Sequence, residues 1–408
     1  MNKIQQLIQQ LCPQGVERKE LGEIVEILDS QRKPVSKSNR VVGKYPYYGA
    51  NGIQDYVDEY IFDGTFILLG EDGSVINKDG SPVLNWATGK IWVNNHAHIL
   101  AEKSNIAILR YVYFALAIID VTKVVKGNIP KITQQNLRGF QIPIPPLPIQ
   151  QEIVKILDSF TQLEAELEAE LEARRAQYEY YRNRLLSATE LNGKWLMNGV
   201  EVEWKSLGEV ISALRTGLNP RQNFKLNNAE AKNFYVTVRE LNGFTIKITD
   251  KTDKVDSLGL KLIQNRSKIQ IGDILFSGTG TIGRTALVND FPNNWNIKEG
   301  IYVLTPITNI INAKFLIYLL QSSNIYNQII AKADGSTVSS ISMASLQKIQ
   351  IPIPPLAEQE RIVGILDKFD ALVNDISIGL PAEIDGRRKQ YNYYRGKLLD
   401  FKPLTTNH

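Results

Sequence analysis

The pattern in this sequence that most suggests chemistry is a set of three glycines. Gly278, Gly280 and Gly283 form G-x-G-x-x-G directly after the strand-like run Ile-Leu-Phe-Ser. A dinucleotide site needs a helix to follow, because the helix N-terminus meets the pyrophosphate. The residues that follow, 284–290, favour a strand instead. We therefore predict a β-turn loop that brings backbone amides and Arg284 to a phosphate or a base edge.

The histidines are the next candidates. His96 and His98 would share one face of a strand, since strand side chains alternate. A zinc site needs about four ligands, and Cys12 is the only thiol, so we expect no metal. Asn94 and Asn95, beside His96, would form a polar edge suited to base contacts, although a solvated strand end is equally consistent with the pattern.

The sequence contains none of three motifs that mark DNA-modifying enzymes. These are the Asn/Asp-Pro-Pro-aromatic motif of amino-methyltransferases, the Walker loop, and a carboxylate cluster with a lysine placed as in metal-dependent nucleases. We predict a chain that is not itself an enzyme and that holds no cofactor.

Polar side chains near glycines are the candidates for DNA contact, because Arg and Lys suit guanine, Asn and Gln suit adenine, and all can hold phosphate. A solvated surface role is an equally open alternative for any single residue. In the first half they are Arg32, Lys33, Lys37, Arg40, Lys44, Tyr47, Tyr48, Asn51, residues 70–74, Asn94, Asn95 and His96. In the second half they are Arg215, Thr216, Asn219, Arg221, Gln222, Asn223, Lys225, Thr279, Thr281 and Arg284. A further pair of loops, residues 126–128 and 334–336, occupies matching positions in the two halves.

The chain repeats itself, and this repeat indicates the elements that carry those residues. QIPIPPLPIQQEIVKILDSF starts at Gln141 and QIPIPPLAEQERIVGILDKF at Gln350. RRAQYEYYRNRLL and RRKQYNYYRGKLL follow, and VERKELGEI and VEWKSLGEV precede them. Between the matched pieces, residues 28–125 and 212–333 diverge. This division suggests one scaffold, present twice, that carries two different reading heads.

The matched segments are predicted to be long helices. Apolar residues from Ile153 to Leu185 recur every three or four positions, as in a coiled coil. At ~1.5 Å per residue the first helix would be ~60 Å long. The second copy has four extra residues where Gly379 and Pro381 fall, so we expect a break or kink there. Each helix follows a stiff proline run, and the two helices are predicted to pair antiparallel.

Composition limits the class of protein. With 408 residues, 43% hydrophobic and 22% charged, the chain predicts a globular protein of two or more domains. A net charge of +4 permits nucleic-acid binding without requiring it. The N-terminus lacks a secretory pattern, and a single cysteine suits a reducing compartment, so we expect a cytoplasmic protein. The apolar window 106–121 is too short to span a membrane and predicts a buried helix.

The repeated elements resemble the specificity subunits of type I restriction–modification systems. The resemblance rests on the two Ile-Pro-Ile-Pro-Pro-Leu-x-x-Gln elements, on the Gln-Tyr-x-Tyr-Tyr-Arg helix ends and on the two variable regions. The Leu-Glu-Ala-Glu repeats between Leu163 and Ala173 resemble the subgroup with four-residue repeats in the central helix. The resemblance implies two target recognition domains that each read half of a bipartite site. It also implies docking of two methyltransferase subunits, which engage restriction subunits.

Together these observations predict an α+β protein with pseudo-twofold symmetry. The expected parts are a recognition domain (1–145), a central helix (146–190), a second recognition domain (191–353) and a distal helix (354–408). Spacing of the heads and docking of partners are assigned to Gln150, Leu163, Leu167, Leu171, Tyr181, Gln359, Leu372 and Tyr394. We expect double-stranded DNA, methyltransferase subunits and restriction subunits as partners, no membrane, and S-adenosylmethionine, ATP and magnesium only in the partner subunits.

Two heads on one face of the duplex would place half-site centres ~34 Å, or ~10 base pairs, apart. Two other classes remain open from the sequence. One is a stand-alone DNA enzyme, against which the missing motifs count. The other is a coiled-coil scaffold without DNA specificity, against which the two divergent heads count.

Overall fold

The computed structural model describes residues 3–103, 105–125, 130–221, 223–335 and 338–405. Gln222, residues 126–128 and residue 336, which the sequence singled out, lie outside the described residues. The chain divides into two compact units. The first comprises residues 1–169 with 383–408, and the second comprises residues 170–382.

The first unit combines one mixed sheet with helices. Its strands are β1 (Arg18–Glu20), β2 (Val25–Ile27), β3 (Val42–Gly49), β4 (Gly52–Val57), β5 (Phe62–Gly70), β6 (Leu84–Val93), β7 (Ala97–Glu102) and β8 (Gln141–Pro143). Its helices are α1 (Lys3–Leu11), α2 (Leu21–Ile24), α3 (Leu109–Leu116), α4 (Gln134–Arg138) and the first part of α5 (Leu147–Leu185). Six strands form a sheet in the order β2-β7-β5-β6-β3-β4, and β1 pairs with β8.

Strand β5 lies at the centre of this sheet and is buried on both faces. Ile67 and Leu69 point into one core, where they pack with the helix α3, while Phe66 and Leu68 point into a second core beneath β6 and β7. The alternation follows from the two-residue repeat of a strand. Helix α3 lies within the apolar window 106–121 and buries Tyr111 and its apolar neighbours, which confirms the prediction of a buried helix there.

The second unit is built from shorter strands. They are β9 (Thr189–Leu191), β10 (Lys194–Met197), β11 (Val200–Glu201), β12 (Glu203–Ser206), β13 (Ile211–Thr216), β14 (Asn233–Val236), β15 (Leu241–Asn242), β16 (Thr245–Ile246), β17 (Lys254–Val255), β18 (Ile274–Ser277), β19 (Thr285–Leu287), β20 (Trp295–Ile297), β21 (Ile301–Pro306) and β22 (Gln350–Ile353). Its helices, besides the end of α5, are α6 (Leu207–Val210), α7 (Ser257–Ser267), α8 (Ala313–Gln321), α9 (Ser323–Ala331), α10 (Met343–Gln347) and α11 (Leu356–Asn374). Helix α12 (Leu380–Leu399) begins in this unit and continues in the first.

The strands of the second unit repeat the pattern of the first. β21 lies between β13 and β18, as β7 lies between β2 and β5. β18 pairs antiparallel with β19 as β5 does with β6, and β14 pairs parallel with β20 as β3 does with the end of β6. The two variable regions therefore share a strand arrangement although their sequences diverge.

Between α5 and the second sheet the chain forms a three-stranded meander, β9 to β11, that the sequence analysis missed. Two Asn-Gly turns build it, and both residues of each turn have positive φ: 53° and 77° at Asn192 and Gly193, 52° and 84° at Asn198 and Gly199. This geometry is that of the tightest hairpin turns. The helix accordingly ends at Leu185.

The long helices differ as predicted. α5 runs unbroken for 39 residues, whereas the second copy ends at Asn374 and resumes at Leu380. Gly379 lies in the gap, where an added Cβ would come within 2.5 Å of the Ala371 carbonyl oxygen. Pro381 lies in the first turn of α12, where backbone amides have no acceptor within the helix, so a proline there costs no helical hydrogen bond.

Each unit contains the same aromatic contact between helix segments. In the first, Phe160 stacks on Tyr394 with ring centroids 5.7 Å apart. In the second, Phe369 stacks on Tyr181 at 5.5 Å. Further along α5 in the first unit, Glu164 forms an ion pair with Arg388, which precedes Tyr394 in α12. The segments in this unit are therefore antiparallel.

The observed structure is of the α+β class, with two units and long helices, as expected. Among the described residues, no helix combines the length and the apolar character that crossing a membrane requires.

Candidate nucleic-acid interface

In the first unit, four chain segments meet beside the sheet. The amide of Asn94 donates to the Tyr48 carbonyl oxygen at 3.0 Å, and the amide of Glu71 donates to the His96 oxygen at 2.8 Å. The amide of Ile132 donates to the Glu71 oxygen at 2.8 Å. We call residues 48–52, 70–74, 94–96 and 130–132 the first reading face.

The second unit brings together four equivalent segments by equivalent hydrogen bonds. The amide of Lys298 donates to the Val236 oxygen at 2.9 Å, the amide of Gly278 donates to the Gly300 oxygen at 2.8 Å, and the amide of Ile341 donates to the Gly278 oxygen at 2.9 Å. We call residues 236–239, 277–280, 298–300 and 339–341 the second reading face. The two faces use the same backbone scaffold.

The first reading face presents mainly amides and a histidine. Asn51, Asn95 and His96 are exposed, and His96 Nδ1 lies 2.6 Å from an Asp72 carboxylate oxygen. The turn that carries Asn51 ends at Gly52, whose φ of 105° suits glycine. Such groups can both donate to and accept from base edges.

The second reading face presents cations around a cleft. The cleft has a volume of about 620 Å³, and its lining includes Asn219, Arg221, Arg239, Thr279 and Lys298. Within the part of the chain that the structure describes, Arg221 and Lys298 are exposed and neither forms an ion pair or a side-chain hydrogen bond. A groove with free cations at its rim suits phosphate or guanine.

Arg239 and Lys298 were missed by the sequence analysis. Lys298 directly follows β20 as Asn94 directly follows β6, and Arg239 lies three residues after Val236, as Asn51 lies three residues after the equivalent Tyr48. A search for polar residues that follow short apolar strands could have found them. The divergence of the variable regions hid the equivalence, since only the hydrogen bonds reveal it.

A buried charge network supports the first reading face. His98 is fully buried, with Nδ1 2.6 Å from Asp29 and Nε2 2.8 Å from the Ile132 carbonyl oxygen. Glu71 accepts from Arg32 at 2.5 Å and from Lys131 at 3.0 Å. The network connects Glu71, which follows β5, with Ile132 in the fourth segment of the face. It also connects both to Asp29, which lies before β3.

The carboxyl groups of this network are held in their charged form. Burial raises the pKa of Asp29, but hydrogen bonds from His98 and from the Ile99 amide, with the Arg32 charge, outweigh it and lower that pKa. Burial also raises the pKa of Glu71, and hydrogen bonds from Arg32 and Lys131 outweigh it in the same way.

Asp29, Glu71 and His98 also have the chemistry of metal ligands, and their ligand atoms lie within 4.8 Å of one another. Each of these side chains is already bonded to another group of the protein, however. The arrangement therefore fits an ion-pair network rather than an open coordination site.

The second unit fills the same place without charges. Tyr302 donates through its hydroxyl to the Ile341 oxygen at 2.6 Å, as His98 donates to Ile132. Thr216 occupies the place of Asp29, and Gly278 occupies that of Glu71. Gly278 is required there because an added Cβ would lie 2.2 Å from the Tyr302 ring.

Several predicted DNA contacts have internal partners, which hold their side chains within the fold. Arg32 belongs to the buried network, Tyr47 is 1% exposed with its hydroxyl on Val35, and Asn94 is 3% exposed beside Gln54. Arg40 pairs with Asp55 and lies 4.1 Å over the Tyr47 ring. Arg215 pairs with Asp273 at 3.0 Å, and Thr216 donates to the Ile301 oxygen.

The other predicted contacts are more accessible. Lys33 and Lys37 are exposed in the segment before β3, Lys44 is exposed within β3, and Tyr48 is half-buried near the end of that strand. Asn223, Lys225 and Thr281 are exposed in the second unit, and the Asn223 side chain donates to the Asn219 carbonyl oxygen, which places it beside the cleft. Residue 334 bridges to Ser340, next to the second reading face.

The glycine loop behaves as predicted in one respect and differently in another. A strand, β19, follows it, not a helix. Arg284 is exposed, but the amides of Gly280 and Gly283 already donate to Ser339 and Ser277. The loop therefore offers the Arg284 side chain without the free amide cradle that we expected.

The histidines do not share a strand face. His96 lies in the turn before β7 and is half-exposed, whereas His98 lies within β7 and is fully buried. The turn at residues 94–96 rotates His96 out of the strand, so that only His96 belongs to the reading face.

The helix residues predicted to dock partners fall into two groups. Gln150 and Gln359 are fully buried, and their side chains are hydrogen-bonded within their own units. The rest remain on helix surfaces or seams: Leu163, Leu167 and Tyr181 are half-buried, Leu171 is buried, and Leu372 and Tyr394 are 37% and 45% exposed.

Comparisons with known proteins find similarity to specificity subunits of type I restriction enzymes. A family model described as the type I restriction modification DNA specificity domain matches residues 13–173 and 199–385. A type I restriction enzyme specificity subunit of Haemophilus influenzae is 37% identical over 398 residues, which cover 95% of this chain and 96% of that protein. The EcoR124I/EcoR124II specificity subunit of Escherichia coli is 33% identical over 384 residues, which cover 87% of this chain and 91% of that protein.

Solved structures agree at the level of the fold. The S subunit of a type I restriction–modification system from M. genitalium has a TM-score of 0.55 at 16% identity, with 94% of this chain and 96% of that chain covered. A chain from a study of assembly and conformational transition of the type I system has a TM-score of 0.58 at 15% identity, with 95% and 98% covered.

Proposed function

Because the chain belongs to the type I restriction modification DNA specificity family, we propose that it binds an asymmetric bipartite site in double-stranded DNA. Like the relatives named above, it is a non-catalytic specificity subunit. In the proposed function, each unit reads one half of the site through its reading face. The chain then positions methyltransferase and restriction subunits on that site.

One observation carries this proposal: the two reading faces have the same backbone scaffold but different side chains. Alignment of the two faces by their equivalent hydrogen bonds, Asn94 to Tyr48 and Lys298 to Val236, matches Asn51 and Asn95 of the first face with Arg239 and Glu299 of the second. Base recognition depends on the donors and acceptors at such positions. Two faces of different chemistry therefore support two different half-sites.

The charges of the faces suggest how each half-site is held. Lys298, Arg221 and Arg239 line one cleft of the second face together with Glu299 and Asp253, which pairs with Arg239 at 2.8 Å. The exposed cations Lys298 and Arg221 suit phosphates and guanine. The first face relies on amides and on the His96–Asp72 pair, with Lys131 beside it. We propose that the first half-site depends more on base contacts and the second more on charge.

The remaining parts of the proposal concern partners and place. We propose two methyltransferase subunits on the helices, with restriction subunits bound in turn, and the cytoplasm as the compartment, because the DNA target lies there. S-adenosylmethionine, ATP and magnesium would be bound by those partners and not by this chain.

The test exchanges one unit's variable region. Residues 212–333 are replaced by the corresponding residues of another family member, the whole system is expressed, and modified adenines are mapped across the host genome. We expect one half-site to change and the other to persist. A change in both halves, or in neither, would contradict the assignment of one face to one half-site.

A further inference from the structure

Gln150 joins the helix α5 to the first unit's sheet-and-helix core by three hydrogen bonds. Its side-chain oxygen accepts from the Ile108 amide at 2.9 Å. Its side-chain nitrogen donates to the carbonyl oxygens of Ile106 at 3.2 Å and Pro145 at 2.8 Å. Gln150 is 0% exposed, so these bonds have no competition from solvent.

Gln359 makes the same three bonds in the second unit. Its oxygen accepts from the Asn312 amide at 2.8 Å, and its nitrogen donates to the oxygens of Ile310 and Pro354, both at 2.9 Å. It is also 0% exposed. In each unit the glutamine oxygen accepts from the amide of the N-cap residue that directly precedes a core helix, α3 or α8.

A second contact lies two turns further along each helix. Arg110 Nε donates to Asp158 at 2.7 Å in the first unit. Lys314 Nζ donates to Asp367 at 2.7 Å in the second, and the Tyr318 hydroxyl donates to the same carboxylate at 2.8 Å. Eight residues separate glutamine and aspartate in each copy, or ~12 Å of helix. Two contacts at that separation define the direction of a helix axis.

We propose that these two-point clamps, Gln150 with Asp158 and Gln359 with Asp367, are positioning devices that set the spacing between the two half-sites. The inference rests on the proposed function and adds the residues that determine one part of its specificity. Neither glutamine touches DNA or a partner, since both are buried. They act by fixing the angle at which each helix leaves its recognition unit.

The magnitude follows from the helix as a lever. From Gln150 to the end of the first unit's share of α5, at Ala169, the helix is ~29 Å long. A swing of ~7° at the clamp would move the far end by ~3.5 Å, which is about the rise of one base pair. A joint that loses its clamp therefore tolerates spacers one base pair longer or shorter.

The experiment maps modified sites in cells that express the complete system with Gln150→Leu, Asp158→Ala or both. We expect both half-site sequences to persist. We expect the ratio of modification at sites with a spacer one base pair off to that at correct sites to rise at least tenfold. Asp158→Glu, which keeps the carboxylate for Arg110, should restore the single spacer.

Leu157→Ala is the matched control. Leu157 is 0% exposed and lies in the same part of α5, so its truncation loosens the core while both clamp contacts remain. The spacer profiles of Leu157→Ala and Gln150→Leu are compared under conditions in which the two variants have equal thermal midpoints. Leu157→Ala should then keep the wild-type spacer. Equal broadening in this control would overturn the proposal, as it would show a general effect of lost stability.

Other outcomes are also decisive. A folded and assembled double variant with the wild-type spacer profile would overturn the inference, as would loss of all modification by Asp158→Ala. Should Gln150→Leu fail to fold, Asp158→Ala alone carries the test, because that carboxylate is 44% exposed. If the wild-type system modified no bipartite site at all, the proposed function would fail instead.

Discussion

Replacing Asp29 by asparagine should loosen the first recognition unit and leave the second intact. Asp29 is 8% exposed and accepts hydrogen bonds from His98, from the Ile99 amide and from Gln134. Removing one partner of a buried ion pair costs about 3–5 kcal/mol. Asparagine can still accept from the Ile99 amide, so we expect the lower end, about 3 kcal/mol.

The effect is best measured by hydrogen exchange at pH 7, which resolves the two units. A loss of about 3 kcal/mol corresponds to roughly 100-fold faster exchange of the amides in strand β7. Amides of β21 in the second unit should exchange as in the wild type. Asp55→Asn is the control, because Asp55 also pairs with an arginine of the first unit but lies at the surface.

The effect should also depend on pH in a defined direction. The pKa of Asp29 is lowered in the folded protein, so its contribution to stability is present above the unfolded pKa, near 4, and is lost as the pH falls through the folded value. Thermal midpoints of wild type and Asp29→Asn should differ at pH 7, and the difference should shrink progressively as the pH falls below about 4. Exchange within threefold of wild type at pH 7, or a gap that persists in acid, would refute this reasoning.

Three further outcomes are expected. Lys298→Ala should weaken DNA binding by the assembled complex and reduce the slope of log affinity against log salt by ~1, without loss of stability. Arg215→Ala should instead lower the stability of the second unit, because it leaves the buried Asp273 carboxylate without its ion-pair partner. Deleting residues 167–170 removes ~6 Å of helix and should shorten the spacer by one or two base pairs, with one base pair the main expectation, while both half-site sequences are kept. Mapping of modified sites checks this, and an unchanged spacer in an active variant would contradict it. The purified chain alone should neither methylate nor cleave DNA, so methyl transfer from S-adenosylmethionine by the isolated chain would count against the specificity-subunit assignment.

The long helices and their difference could be predicted from the sequence by itself. The apolar periodicity of α5 predicts a long helix, and Gly379 and Pro381 predict a break in the second copy. Both predictions depend only on local backbone geometry, which neighbouring residues in the sequence determine. The repeated segments also carry the resemblance to the family, because two sets of similar sequence stretches occur in the same order.

The reading faces were decided by tertiary structure. Each face consists of four segments that are far apart in the chain, and hydrogen bonds between backbone groups bring them together. Backbone hydrogen bonds do not depend on the type of side chain, so the sequence does not show which residues they bring together. For this reason the sequence analysis missed Arg239 and Lys298 and selected Arg215 and Asn94. A cation paired with a buried aspartate, such as Arg215, and an exposed cation at a cleft, such as Lys298, look the same in a sequence.

The roles of the two glutamines show the same limit. The repeat identifies Gln150 and Gln359 as equivalent and assigns them to spacing of the heads and docking of partners, but it does not show that their side chains face inwards. Whether a polar side chain faces outwards or inwards depends on the backbone groups opposite it, and here those groups are the ends of α3 and α8. Local sequence determined the helices, and only packing against the rest of each unit determined what their first turns bind.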